Sequence, residues 1–254
     1  MSNKTALVAT RINYPREREF QLTGGSFRVA ALERSQLSEL NNNSFLYWWP
    51  LVKDLGIPVP KSTVCKIDLA DVRCAAERIG FPLFMRTDLC SGKHNWINSC
   101  FVSNASHIEE NMITVIQDNV RWSMLGIHPQ AMVLREFLAL ETAFVAFDGD
   151  MPINREFRYF IEDGNIQCMH PYWPETAFNR HPARMAHHPN WKERLRLLSQ
   201  PDASQDIITE YVSRMTHLKG SWSADFAKGK NGTWYLIDMA LAHNSYHMTH
   251  EEGY

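Results

Sequence analysis

No stretch of the chain approaches 18 consecutive apolar residues, so nothing in it reads as a membrane-spanning helix. The N-terminal Met-Ser-Asn-Lys-Thr-Ala-Leu-Val-Ala-Thr carries too short an apolar run for a secretory signal. Excess charge of one sign is missing too. With a formal net charge of −2 over 254 residues and no polybasic tail, bulk electrostatics argue against a nucleic-acid partner. Cysteine is scarce and odd in number. Cys65, Cys74, Cys90, Cys100 and Cys168 show no C-x-x-C spacing and sit in apolar segments, the pattern of reduced, buried thiols. Together these absences point to a soluble, cytoplasmic protein. There is no internal repeat, no low-complexity segment, no G-x-x-x-x-G-K-[ST] phosphate loop and no H-E-x-x-H.

What is present is enough apolar matter for a full-sized enzyme. Hydrophobic residues make up 44% and charged residues 21%, with 8 Trp and 13 Phe, which places the chain among globular proteins of one large domain or two to three lobes. Helical and strand patterns alternate, giving an α+β or mixed α/β architecture. Asn43-Ser44 caps a helix reaching Leu55 and stopped by Gly56, and Ile57-Pro58-Val59-Pro60 must be extended, which sets a lobe boundary near residue 60. Asp68 caps a helix to Ile79, stopped by Gly80, and Pro82 to Arg86 is a strand leading into a loop.

From Asn104 or Ser106 to Trp122 the apolar positions recur at helical spacing, with Ser106 and Glu109 as a capping box. Strands follow at Ala131 to Leu138, Ala143 to Phe147 and Asn154 to Glu162, the last turned at Asp163-Gly164 into a strand to His170. Tyr172 to Gln200 reads as a long loop with a short helix at Trp191 to Leu198, and Gln205 to Lys219 as an amphipathic helix.

Three constellations carry chemistry. In Ser221-Trp-Ser-Ala-Asp225-Phe-Ala-Lys-Gly-Lys-Asn-Gly232-Thr-Trp-Tyr-Leu-Ile-Asp238, two apolar runs are joined by Asn231-Gly232, a hairpin signal. With that turn Asp225 faces Asp238. Two carboxylates about 5 Å apart repel by roughly 3 kcal/mol at an effective dielectric near 20, so a positive group belongs between them. Oxygen ligands from aspartate suit Mg²⁺ shared with a substrate's phosphates; the competing reading is a surface hairpin whose acids diverge into water. The second constellation, Arg86-Thr-Asp-Leu-Cys-Ser-Gly-Lys93, follows a strand and offers a glycine backbone and an ammonium to a polyphosphate, although Ser-Gly-Lys also occurs in ordinary turns. In the third, Arg155-Glu156-Phe157-Arg158, Glu156 and Arg158 share one strand face, for phosphate or as a local ion pair.

The order of these pieces resembles the ATP-grasp superfamily, over about residues 44 to 246. Within it the likeness is to the branch that includes the eukaryotic cell-division-cycle assembly chaperone and small phage and bacterial proteins. That resemblance implies two α+β lobes clamping ATP: an N-terminal α/β pre-grasp segment at 1–60, a first lobe at 61–130 and a second at 131–254. Pro82 to Lys93 resembles the phosphate-contacting strand and loop, with Arg86, Ser91 and Lys93 at the nucleotide. Val133 to Leu138 resembles the hinge strand that receives adenine, including Arg135, Glu136 and Phe137, and Glu141 matches the ribose-binding acid. Glu156 and Arg158 also fall in the nucleotide site, and Asp225 and Asp238 match the metal carboxylates.

One departure stands out. Where the superfamily usually has Asn two residues after the last metal acid, this chain has Ala240, which leaves Asn244 or a water as the replacement ligand. The resemblance implies ATP and Mg²⁺ as cofactors and transfer of a phosphoryl group to a carboxylate, giving an acylphosphate attacked by an amine or other nucleophile. Arg86 and Lys93 would hold the phosphates and Arg158 would stabilise developing charge. The carboxylate and nucleophile belong to a small molecule, a peptide or a protein end. The alternative is an ATP-binding assembly factor that clamps a protein client without turning it over. A rival metal reading comes from His243, His247 and His250, whose i,i+4 pair on a helix would suit Zn²⁺. His187-His188 reads as a polar loop and His170 as lining the cleft. Specificity is expected from the N-terminal lobe and from Tyr172, Trp173, Glu175, Arg180 and His181.

Overall fold

The computed structural model describes the backbone of residues 16–22 and 25–31 and, beyond these, residues 42–119, 127–147, 150–179 and 188–247. Two four-stranded antiparallel sheets organise the described chain. The first has the order β3 (Ser62–Cys65), β6 (Met132–Glu136), β4 (Leu83–Thr87), β5 (Phe101–Val102). The second runs β10 (Asn165–Pro171), β9 (Glu156–Glu162), β11 (Ser221–Lys228), β12 (Trp234–Leu241). Two hairpins stand apart: β1 (Arg16–Leu22) with β2 (Gly25–Ala31), and β7 (Thr142–Ala146) with β8 (Met151–Asn154).

Three apolar cores fix these sheets. Helices α2 (Leu69–Ile79) and α3 (Ile108–Gln117) bury Val72, Ala76, Ile108 and Val115 against Leu83, Met85, Met132 and Leu134 of the first sheet. Helices α1 (Phe45–Val52) and α6 (Asp206–Ser213) cover the second sheet, packing Phe45, Trp48, Ile208 and Val212 onto Phe157, Trp222, Phe226 and Trp234. The single turn α4 (Thr176–Asn179) and helix α5 (Trp191–Leu198) close the third core over Phe144, Ala146 and Ile153. Within the segment before residue 60, α1 and Ile57 belong to the second core. The chain crosses between the sheets after Glu136 and not at residue 130, since β6 pairs with both β3 and β4.

Local signals account for most boundaries. The Asp68 carboxylate accepts the Ala70 and Asp71 N–H groups at the start of α2, and Gly80, at φ +87°, ends it. Before α3 the cap is Asn104, whose side chain accepts the Ser106 N–H. The expected Ser106–Glu109 box is not formed, because the Ser106 hydroxyl donates to Asn104 instead. The helical pattern extending to Trp122 ends at Gln117, and Trp122 lies outside the described residues. Helix α6 stops at Ser213 and not at Lys219, while Met215 and Leu218 reach the same core from the turns that follow.

The hairpin β11–β12 carries both acids, and its register decides whether they meet. Asn231-Gly232 is not a two-residue turn. The strands close at Lys228 opposite Trp234, leaving a five-residue loop at 229–233, and a register shift then follows between Asp225 and Phe226. The bulge falls at Ile237, and its cause is visible in the apolar pattern. Leu236 and Met239 both face the core, and a three-residue step between core positions requires one extra residue in a strand of period two. The bulge cancels the change in turn length, so Asp225 does oppose Asp238.

Candidate functional site

The site is built where β4 and its loop meet the cleft face of the second sheet. Strand alternation on β9 sends Phe157 and Tyr159 into the core and Glu156 and Arg158 to the opposite face. On β11 the same alternation buries Ala224 and Phe226 in the core and turns Asp225 toward Arg158, its direct partner across the ladder. The Arg158 guanidinium donates Nε to Asp225 Oδ1 at 2.7 Å and Nη2 to Oδ2 at 2.8 Å. The alternative reading of a local Glu156–Arg158 ion pair gives way to this cross-strand fork.

Asp238 is claimed from the other sheet. Arg86 on β4, itself buried, donates Nη1 to Asp238 Oδ1 at 2.9 Å. Thus each acid of the opposed pair has a guanidinium, and the positive charge that their proximity requires comes from two arginines. The next residues of β4 hold the loop in place. Thr87 Oγ1 accepts the N–H groups of Leu89 and Cys90, while Asp88 accepts the Ser44 hydroxyl and the Gln130 and Ala131 N–H groups. At the loop's end Gly92 has φ +60°, which favours glycine, and a Cβ there would lie 2.1 Å from an Asp118 carboxylate oxygen and force that side chain to move.

This turn delivers Lys93. Its ammonium donates to the Tyr172 hydroxyl at 2.6 Å and lies 4.0 Å from the centroid of that ring. Burial disfavours the ammonium, but the Tyr172 oxygen, Glu156 and Asp225 outweigh it and raise the lysine pKa above its ordinary range. Glu156 shows the opposite balance. Burial, followed by the nearby Asp225 and Asp238, outweighs Lys93 and Arg158 and pushes its carboxyl up to about 7. Its Oε1 atom is buried and has no hydrogen-bond donor among the described residues.

The remaining expected positions are distributed unevenly. Arg135 is buried, donating Nε to Ser62 and Nη1 to the Ile237 carbonyl, so it ties the two sheets together. Burial and Arg86 push its pKa down to about 9, and Nη2 has no acceptor among the described residues. Glu136 accepts the Lys61 N–H, Phe137 packs on Phe101, and Glu141 receives Arg155 Nε at 2.9 Å. Ser91 is partly buried in the loop before Lys93. Asn244 is exposed in the turn Ala242–Asn244, and no described contact brings it to Asp225 or Asp238.

The zinc reading fails among the described residues. His243 lies in that short turn and His247 beyond it, so the two do not share a helix, and His247 Nε2 lies 3.2 Å from Cys168 Sγ. Among the described residues no group of three or more His, Cys, Asp or Glu is placed to hold a metal. His250, His187, Arg180 and His181 lie outside the described residues. His170 does face the cleft side, opposite Arg158 on β10, and its Nδ1 meets the Pro171 carbonyl. Tyr172 emerges as a site residue through its contact with Lys93. The sequence placed it among the residues expected to set specificity and not at the phosphate loop; it directly follows β10, the strand that pairs with Arg158's strand.

The profile of the ATP-grasp domain, R-two-K clade family 3, matches residues 55–250. The chain belongs to this family. Many ATP-grasp members are ATP-dependent ligases, and the fold typically binds ATP with Mg²⁺. Solved structures agree on the ATP-grasp fold. Cdc123 from Schizosaccharomyces pombe is 12% identical with a TM-score of 0.50, covering 84% of this chain and 87% of its own. An N5-carboxyaminoimidazole synthase from Aspergillus clavatus, solved with ADP and 5-aminoimidazole ribonucleotide, is 11% identical with a TM-score of 0.51, covering 85% of this chain and 48% of its own. The VanG D-Ala:D-Ser ligase from Enterococcus faecalis is 12% identical with a TM-score of 0.50, covering 80% and 53%. The chain therefore spans about half the length of these two enzymes, and it spans 62%, 55% and 45% of three further solved structures. No curated protein matches the sequence. Among the described residues of this ATP-grasp chain, no helix is long and apolar enough to cross a membrane.

Proposed function

We propose that the chain is an ATP-dependent carboxylate–amine ligase, with its nucleotide and Mg²⁺ between the two sheets. The observation that carries this reading is the pairing of the opposed acids Asp238 and Asp225 with Arg86 and Arg158, while Lys93 meets the same Tyr172 ring that Arg158 stacks on. Three cations with two carboxylates fit a triphosphate and a hard divalent ion, and the donorless Glu156 Oε1 is a buried acceptor that such a ligand or its metal-bound water would satisfy. In this reading Arg86, Ser91 and Lys93 hold phosphate, and Glu136 and Phe137 flank adenine. Arg135 supports that strand, Glu141 takes ribose, and Asp225 and Asp238 carry Mg²⁺ with Asn244 or water completing the shell.

Bound Mg·ATP supplies the phosphoryl group that activates a carboxylate toward an amine or other nucleophile. The chain's own residues position and neutralise. Lys93 stays charged through the physiological range, and Arg158, its fork held by Asp225, sets a second fixed positive charge on the same Tyr172 ring for the charge that develops on phosphoryl oxygens. Glu156, beside Lys93, is an acceptor for a proton leaving an attacking amine.

A second reading has its own support. Asp225 already takes both arms of Arg158, which commits one metal acid to an internal pair and suits a clamp that binds ATP and a protein client with little turnover. The deciding experiment titrates the purified chain with ATP, with and without Mg²⁺, and follows ADP and phosphate as carboxylate and amine mixtures are added. Acceptor-stimulated ADP formation supports the ligase, and tight nucleotide binding without turnover supports the clamp. Absence of Mg²⁺-dependent ATP binding rejects both.

A further inference from the structure

Beside the cation cluster lies a cavity of about 330 Å³ walled by Phe147, Tyr172, Trp173, Pro174, Ala177 and Tyr246, with His94 and Thr176 as its polar members. Ligand pockets run from about 300 to 1,000 Å³, so this one accommodates a body the size of one amino acid and not a nucleotide. Its aromatic walls are fixed by packing. Phe147 and Trp173 have ring centroids 5.8 Å apart in the third core, and Tyr172 meets Trp173 edge-on at 4.9 Å. Phe147 is also held at φ +66°, a conformation costly for a bulky residue, which places its ring there at the expense of backbone strain.

The same walls carry the cluster's charge. Lys93 Nζ sits 4.0 Å from the Tyr172 ring centroid and 5.1 Å from that of Trp173. The Arg158 guanidinium lies 4.7 Å from the Tyr172 centroid and donates to the Tyr246 carbonyl at 3.2 Å. Aromatic rings around a cavity often mark a site for an organic cation. Here two protein cations, Lys93 and Arg158, already stand over those rings, next to the cavity and not among its lining residues, and would repel a third. An apolar body with an anionic end satisfies both halves of the site. The indole N–H of Trp173, a lining residue, is buried and without an acceptor among the described residues.

We infer that this cavity is the pocket for the carboxylate substrate, and that it selects a carboxylate borne on an aromatic or bulky apolar body: a free amino acid, or the C-terminal residue of a peptide. The inference rests on the ligase reading for the fate of that carboxylate, but binding is tested separately from chemistry.

Intrinsic tryptophan fluorescence of the full chain is titrated with L-phenylalanine, L-phenylalaninamide, L-glutamate and a short peptide ending in phenylalanine, and Mg·ATP is titrated on its own. Phenylalanine or the peptide is expected to bind at least about tenfold more tightly than the amide or glutamate. Tighter binding of the peptide assigns the carboxylate to a chain end, and tighter binding of phenylalanine assigns it to a free amino acid. Ala177→Trp, which fills the cavity, should weaken the preferred acid about tenfold or more while leaving Mg·ATP affinity unchanged. The ligand series on the unaltered chain stands even if that variant does not fold. Equal binding of acid and amide, equal binding of glutamate, or no binding of either acid at about 10 mM overturns the pocket, whatever Mg·ATP does. Acid binding without Mg·ATP binding retains the pocket and rejects the ATP reading.

Discussion

Arg86 and Asp238 are 152 residues apart in sequence and joined by a hydrogen bond of 2.9 Å, from the second-last position of β4 to the middle of β12. The contact links the two sheets at the point where a nucleotide is proposed to lie. Its asymmetry matters: the arginine side chain is 6% exposed and the aspartate 41%. The acid can therefore be shared with an incoming cation, while the arginine stays fixed by its second bond, from Nε to the Thr87 carbonyl at 3.0 Å.

Replacing Asp238→Asn removes a charge that the metal site and Arg86 both use. Mg²⁺-dependent ATP affinity should fall about tenfold or more, measured by calorimetric titration. Stability should fall by only about 1 kcal/mol, because the lost ion pair is open to solvent on one side. Unchanged Mg·ATP affinity would remove Asp238 from the site.

Asp225→Asn should behave differently, since both members of its pair are buried. Leaving the Arg158 guanidinium with an uncharged partner is expected to cost about 3 kcal/mol in urea unfolding, with the slope unchanged. Adding Arg158→Gln should recover part of that loss, because the double variant no longer strands a buried charge. Additive losses in the double-mutant cycle would show that the fork is not an energetic unit.

Glu156 predicts how stability depends on pH. Its carboxyl titrates near 4.5 in the unfolded chain and at about 7 in the folded one, so between these values the folded state holds the extra proton. Stability should therefore decline as pH rises from about 4.5 to 7, by an amount on the order of 1–3 kcal/mol, and level off above. Glu156→Gln should flatten that slope, read from urea midpoints across the range. An identical slope in the variant would show that another group sets the dependence.

Much of this organisation was legible in residue order. The caps at Ser44 and Asp68, the Asp163-Gly164 turn and helix α5 all lie where local chemistry puts them, because each depends on neighbours a few positions away. The opposition of Asp225 and Asp238 was legible for a partly wrong reason, since the true loop is longer and the Ile237 bulge restores the register. Contacts between distant segments left no local trace. Nothing near Lys93 announces Tyr172, nothing near Arg135 announces the Ile237 carbonyl, and the strand containing Arg135 gives no sign that it is an inner strand of the first sheet. Those depend on how the sheets dock, which a spacing pattern does not encode.

Gly92 offers the sharpest test of how the loop presents its lysine. Two constraints meet at this residue: a backbone at φ +60° and a position where any Cβ would press on the Asp118 carboxylate at 2.1 Å. Alanine must strain the turn, displace Asp118 at the end of α3, or swing the segment that begins with Lys93. The first two outcomes cost stability, by about 1–3 kcal/mol, and the third moves the ammonium away from Tyr172 and the cleft. Gly92→Ala should therefore lower the unfolding midpoint and weaken Mg·ATP binding together. Gly80→Ala is the control. It shares a left-handed backbone but has open space around it, so it should lose stability alone and keep nucleotide affinity. If both variants keep full affinity, Lys93 does not reach its ligand through this turn.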